Sequence, residues 1–164
     1  MNDHQIKLDD KYLDYPVEEV RPDTIGLMPG IIEGMLAMCW EHRATSKRPY
    51  RPPLKLAVGL AANQVGINAR VIVINYAGFN GGMINPVITK YRGGTCTAME
   101  QCLSFGKKKT YPIRHKIIVV EYLDTNGDKH RNKYRGLMAR IIQHEVDHLD
   151  GITMFCREKL GSVK

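Results

Sequence analysis

The sequence predicts an α+β fold: antiparallel and mixed β-sheets packed around a C-terminal helix that bears an HExxH pattern, with a second helix near the N-terminus. Two observations carry this prediction. Apolar residues recur at helical spacing in one segment near each end, and the segments between them are short, β-branched and bounded by turn residues. A chain of 164 residues has the size of one ordinary domain, so residues 1–164 are read as a single unit.

The elements follow in order. PGIIEGMLAMCWEHR places Ile31, Met35 and Met38, with the adjacent Ile32, Leu36 and Cys39, on one side of a helix, and assigns its Met and Cys residues to the core. SKRPYRPPLK holds three prolines in ten residues, which excludes a helix or a central strand and leaves an exposed basic loop. ARVIVINYAG, MINPVITKY and HKIIVVEYLDTNGDKH read as strands, the last turning at Asn126 and Gly127. RGLMARIIQHEVDHLDG is apolar at Leu137, Met138, Ile141, Ile142, Val146 and Leu149, and Gly151 stops it as a helix.

Composition narrows the class. With 43% hydrophobic and 25% charged residues the chain can bury a core, which excludes disorder. The N-terminal MNDHQIKLDDKYL has no apolar signal region, and no segment approaches the ~18 apolar residues of a membrane span. A cytoplasmic protein without membrane contact is expected. Cys39, Cys96, Cys102 and Cys156 form no CxxC pair and read as reduced thiols. The net charge of +7 is unevenly spread: residues 1–41 hold nine acids and three bases, whereas residues 42–99 hold eight bases and no acid. Lys107, Lys108 and Lys109 add a tight cluster that can steer a polyanion or an anionic substrate, or simply be solvated.

The last helix carries the chemistry. His144 and His148 lie one helical turn apart, so both imidazoles project from one face and can grip one metal ion, with Glu145 beside them. The histidine position of the longer HExxHxxGxxH pattern holds Met154, and Glu158 lies too near the end of the chain. A third ligand is therefore expected upstream. Cys102, a soft thiolate donor in the polar segment EQCLS, is the first candidate, with His115 and His130 as alternatives. Cys96 is expected to be a buried thiol, and Asp147 and Arg114 are candidates for orienting the ligands, Arg114 by pairing with Glu100, with surface ion pairs as the alternative reading.

GLAANQVGI at residues 59–67, EQCLS at 100–104 and QHEVDHLDG at 143–151 resemble, in order, the three signature segments of the peptide deformylase family. The resemblance implies hydrolysis of the formyl group from N-formylmethionine at the start of nascent chains. It implies one divalent metal, Fe(II) natively with Zn, Ni or Co as substitutes, on Cys102, His144 and His148. Glu145 becomes the acid-base, and Gln64 a transition-state hydrogen-bond donor, joined by the backbone N–H of Leu103. The implied partners are the formylated peptide and, transiently, the ribosome, with the enzyme a monomer. Three positions depart from the pattern: Ala57 and Gln101 replace glycines, and Arg140 stands where a methionine pocket calls for an apolar side chain. Two other readings fit the residues: a metal-dependent amidase or peptidase of other acyl specificity, and a basic ribosome- or nucleic-acid-binding protein with a structural metal.

Overall fold

The computed structural model describes residues 13–44 and 58–159, and the proline-rich loop and Ala57 lie outside this range. Helix α1 (Met28–Ala44) precedes five strands: β1 (Gly59–Ala61), β2 (Val71–Tyr76), β3 (Phe79–Thr97), β4 (Ile113–Leu123) and β5 (Lys129–Arg135). Helix α2 (Gly136–Leu149) and the short helix α3 (Met154–Lys159) follow. Short 3-10 turns occupy Pro22–Leu27, Ala62–Gln64 and Leu103–Phe105.

The strands form one sheet in the order β1-β2-β3-β4-β5, antiparallel at every junction. The expectation of mixed sheets is thus corrected, because no parallel pair exists among the described residues. Each strand pairs with its predecessor in the chain: the returns from β2 to β3 and from β4 to β5 are short turns, and the longer connection from β3 to β4, residues 98–112, holds a 3-10 turn but no crossover helix of the kind that links parallel strands. The tightest return, between β2 and β3, uses Ala77 and Gly78, both at positive φ (52° and 86°).

Both faces of the sheet are covered at β2, which explains its unbroken apolar run. Val71 and Val73 pack with Met28, Ile32, Met35 and Cys39 of α1. Ile72 and Ile74 face Ala139, Ile142, Val146 and Leu149 of α2. Ile31, Leu36 and Met38, expected on the buried face of α1, are only partly buried at its margin. Gly82 on β3 lets α1 approach closely, since a Cβ there would lie 2.4 Å from Ile32 Cδ1.

From Ile117 to Leu123 the alternation along β4 is strict: Ile118, Val120 and Tyr122 point into the α2 core. Strand β5 extends to Arg135, beyond the segment predicted from the sequence, because its basic residues hide the period of two. The C-terminal stop of α2 is confirmed, with Gly151 at φ 70°. Among the described residues, no helix is long and apolar enough to cross a membrane.

Candidate metal centre and active site

Helix α2 is buried along Ala139 to Leu149, polar residues included. Its apolar side enters the core; Gln143 and Asp147 bond His115 and Arg114 of β4, while Arg140, His144 and His148 face the segment that follows β3. That segment carries Cys102, which caps the 3-10 turn Leu103–Phe105. The thiol Sγ lies 3.2 Å from His148 Nε2, and His148 Nε2 lies 3.2 Å from His144 Nε2. The ligating atoms of Cys102, His144 and His148 all fall within 4.8 Å of one another. His115 and His130 stand apart: His115 packs against Tyr91, and His130 stacks on Tyr122 and bonds Asp124. Of the three candidates for a third ligand, Cys102 is the one that lies beside the two histidines.

The donor set fits one metal ion. Tetrahedral bonds of about 2.0–2.1 Å to nitrogen and about 2.3 Å to sulfur place ligand atoms roughly 3.3–3.6 Å apart, close to the observed spacing. The site also attracts positive charge. Burial would lower the pKa of His144, yet its bonds to Cys102 and Glu100 push it up to about 10. His148 moves the other way, held well below its usual range by burial and by the neighbouring His144 and Arg114 charges. Its Nδ1 is buried without a hydrogen-bond partner.

Glu100 orients the first histidine. Its Oε2 accepts from His144 Nδ1 at 2.9 Å, which aims Nε2 at the centre. Arg114 grips both oxygens of the same carboxylate, at 3.1 and 3.0 Å, and its other amino group bonds Asp147. Arg157 holds Asp147 from the far side, so a buried chain of alternating charge runs from α3 to the ligands. Burial alone would raise the Glu100 pKa, but its bonds to His144 and Arg114 outweigh that and hold the carboxyl well below the usual range. The expected Arg114 to Glu100 pair is present, and it is buried rather than superficial.

Arg140 corrects an expectation. It neither lines an apolar pocket nor reaches solvent: it is buried, with one amino group 2.7 Å from Glu100 Oε1 and the other 2.8 Å from the Cys96 carbonyl. A buried guanidinium needs several acceptors, and the strand end plus Glu100 supply them. Arg140 thereby ties the histidine-bearing helix to the segment that carries Cys102. Cys96 itself is exposed, not buried as expected, because it ends β3 on the outer surface. Cys39 is buried, as is Cys102, and burial pushes the Cys39 thiol up to about 12.

Glu145 lies beside Gly59. A Cβ at that position would fall 2.6 Å from Glu145 Oε1, so glycine there makes room for the carboxylate. Burial pushes Glu145 up to about 7 against the pull of the His144 charge, and its Oε2 has no hydrogen-bond partner. Gln64 is buried and fixed in orientation: the Ala61 N–H donates to its Oε1 at 2.8 Å, which turns its amide N–H toward Cys102 Sγ (3.4 Å) and Ser104 Oγ (3.0 Å). Leu103 follows Cys102 at the start of its 3-10 turn, where a backbone N–H has no acceptor within the turn.

Several contributors lie inside the three signature segments without having been singled out as site residues. Asn63 donates to the His148 carbonyl at 2.5 Å and anchors the end of α2, while Ser104 receives the Gln64 amide. Gln143 bonds both the N–H and the carbonyl of His115, fastening α2 to the free end of β4. These are polar residues in ordinary positions, and only their neighbours give them a task.

Comparison with known proteins agrees with this geometry. The sequence matches the family model for polypeptide deformylase over residues 4–161. It is 44% identical over 100 residues to a peptide deformylase of Picosynechococcus sp., an alignment covering 58% of this chain and 54% of that relative's length. The peptide deformylase of Thermotoga maritima superposes with a TM-score of 0.77 at 30% identity, over 93% of this chain and 95% of that one. A peptide deformylase from Synechococcus elongatus, solved in complex with actinonin, gives 0.79 at 32% identity, over 95% and 81%. With the family model matched from residue 4 to residue 161, the chain belongs to the polypeptide deformylase family.

Proposed function

We propose that the chain hydrolyses the formyl group from N-formylmethionyl peptides, releasing formate, as one catalytic domain using a single divalent cation. The observation that carries this reading is the convergence of Cys102, His144 and His148 at ligand spacing, with the Glu145 carboxylate alongside. One thiolate and two imidazoles accept iron, nickel, cobalt or zinc, and we assign Fe(II) as the native ion, as in the resemblance stated above. When bound, the cation supplies Lewis acidity toward a water molecule and toward the formyl carbonyl.

The chain's own residues do the rest. Glu145, whose pKa near neutrality suits both directions of transfer, takes a proton from the attacking water and returns it to the departing amine. As the formyl carbon becomes tetrahedral its oxygen gains charge, and the Gln64 side-chain amide and the Leu103 N–H donate to it. Gln64 is held ready by Ala61, so little reorganisation accompanies the step.

The test is formate release from a formyl-Met tripeptide by the iron-loaded protein, with the acetylated tripeptide as comparison. Cleavage of the formyl compound alone, blocked by actinonin, is expected. Equal cleavage of both peptides would identify an amidase of broader acyl range, and no cleavage of either would overturn the assignment.

A further inference from the structure

The side of the sheet that faces α1 is covered by that helix over β1, β2 and the start of β3. Farther along, β3, β4 and β5 turn the same side to solvent. Register fixes which residues share it. Lys90 on β3 pairs with Val119 on β4, which pairs with Lys133 on β5; Arg92 pairs with Ile117, which pairs with Arg135. Glu121 stands opposite Arg131, and Leu123 opposite Lys129. Since Ile118, Val120 and Tyr122 point into the α2 core, these alternate positions project from the other side.

Six cations therefore line one exposed face: Lys90, Arg92, Lys129, Arg131, Lys133 and Arg135. Its one acid, Glu121, is held by Arg131 at 2.8 Å. The other five have no ion-pair partner among the described residues. Along β5 the cations recur every second residue, about 6.8 Å apart, and the β3 and β5 rows stand two strand spacings apart, about 9.6 Å. Between the rows runs a low strip of half-buried Ile117 and Val119.

A channel floored by aliphatic side chains and walled by regularly spaced cations complements a flexible polyanion with a repeating charge. We propose that this face binds the phosphate backbone of a single-stranded nucleic acid, phosphates against the two rows and sugars over the strip. No aromatic side chain projects from these positions, so the face has no stacking platform for bases. Binding is consequently independent of base sequence and strongly dependent on salt. A lipid surface fits less well, because Ile117 and Val119 are half-buried between the two rows of longer cationic side chains. The ligands and Glu145 lie on the opposite, α2 side of the sheet, so an occupied face leaves the catalytic centre open.

The experiment measures binding of a fluorescein-labelled 20-nucleotide oligouridylate by anisotropy across a salt series. If all five free cations neutralise a phosphate, the slope of log affinity against log salt is about −3.5. Replacing Lys90, Lys133 and Arg135 by Gln should make that slope shallower by about 2 and weaken binding more than about tenfold at low salt. The triple variant Lys107→Gln, Lys108→Gln, Lys109→Gln removes the same net charge elsewhere and should bind like the parent. Circular dichroism and thermal melting establish that both variants fold. Equal loss in both variants would reduce the effect to net charge and overturn the proposal, as would absence of binding by the parent at low salt. Retained oligonucleotide binding with lost binding to phosphatidylserine vesicles would assign the face to lipid instead.

Discussion

At the scale of single residues, the centre separates holding a metal from moving a proton. Cys102 offers a thiol Sγ 3.2 Å from His148 Nε2, whereas Glu145 carries a carboxylate whose Oε2 has no hydrogen-bond partner among the described residues. Cys102→Ala should therefore lose or loosen the metal, read as lower stoichiometry and a lost thiolate charge-transfer band in the cobalt-loaded form. Glu145→Gln should keep both stoichiometry and band while turnover falls by about 100- to 10,000-fold, the usual worth of a positioned acid-base. Full metal content in the first variant would remove Cys102 from the site, and full turnover in the second would remove Glu145 from the mechanism. The grouping of Cys102 with His144 and His148 was legible in the sequence from spacing on one helix and a soft donor in a polar segment, whereas the role proposed for Glu145 came from the family resemblance. The partners of Arg140 were not legible, because helical phase says which side a residue is on, but not that Glu100 and the Cys96 carbonyl wait there to receive a guanidinium.

Among the elements, the β4 to β5 turn shows how a local motif sets stability. Asp124 accepts hydrogen bonds from the N–H groups of Asn126 and Asp128, at 2.8 and 3.0 Å, and from His130 at 2.8 Å. The His130 bond, aided by the two backbone donors, holds the Asp124 carboxyl below its usual range. A lowered native pKa stabilises the fold above the ordinary carboxylate range, and that contribution disappears as pH falls through the native value. Asp124→Asn should thus lower Tm near neutrality, with the gap to the parent closing in acid. A gap constant across pH would show that the carboxylate's charge plays no part. The turn was visible as Asn-Gly, and α2 as an apolar period with a glycine stop. Strand β5 was not fully visible, because an edge strand with one buried side needs few apolar residues, and KHRNKYR spends its odd positions on charge.

For the whole molecule, one sheet serves two cores, and β2 belongs to both. Ile72 packs toward α2 while Val71 and Val73 pack toward α1, so neither layer can melt while the other stays intact. Ile72→Ala should destabilise by about 2–5 kcal/mol. Trp40, the chain's single tryptophan, sits on α1 and reports on the opposite layer. Its fluorescence should shift to the same lower Tm as far-ultraviolet circular dichroism. A Trp40 transition left at the parent temperature would instead show two independent layers.

What the sequence by itself determined is whatever depends on local period and chemical type: the two long helices, the central strands, the HExxH spacing, the thiol donor and the membership of three ordered motifs in one family. These are properties of neighbours in the chain, and neighbours in the chain are what a sequence records. Tertiary structure alone decided the rest. It closed an all-antiparallel sheet, put Gly59 against Glu145, joined Arg157, Asp147, Arg114, Glu100 and Arg140 into one buried network, and gathered six cations from β3 and β5 on one face. Each of these depends on the register of strands or on side chains far apart in the chain, and their energies exist only once burial has removed the competing water.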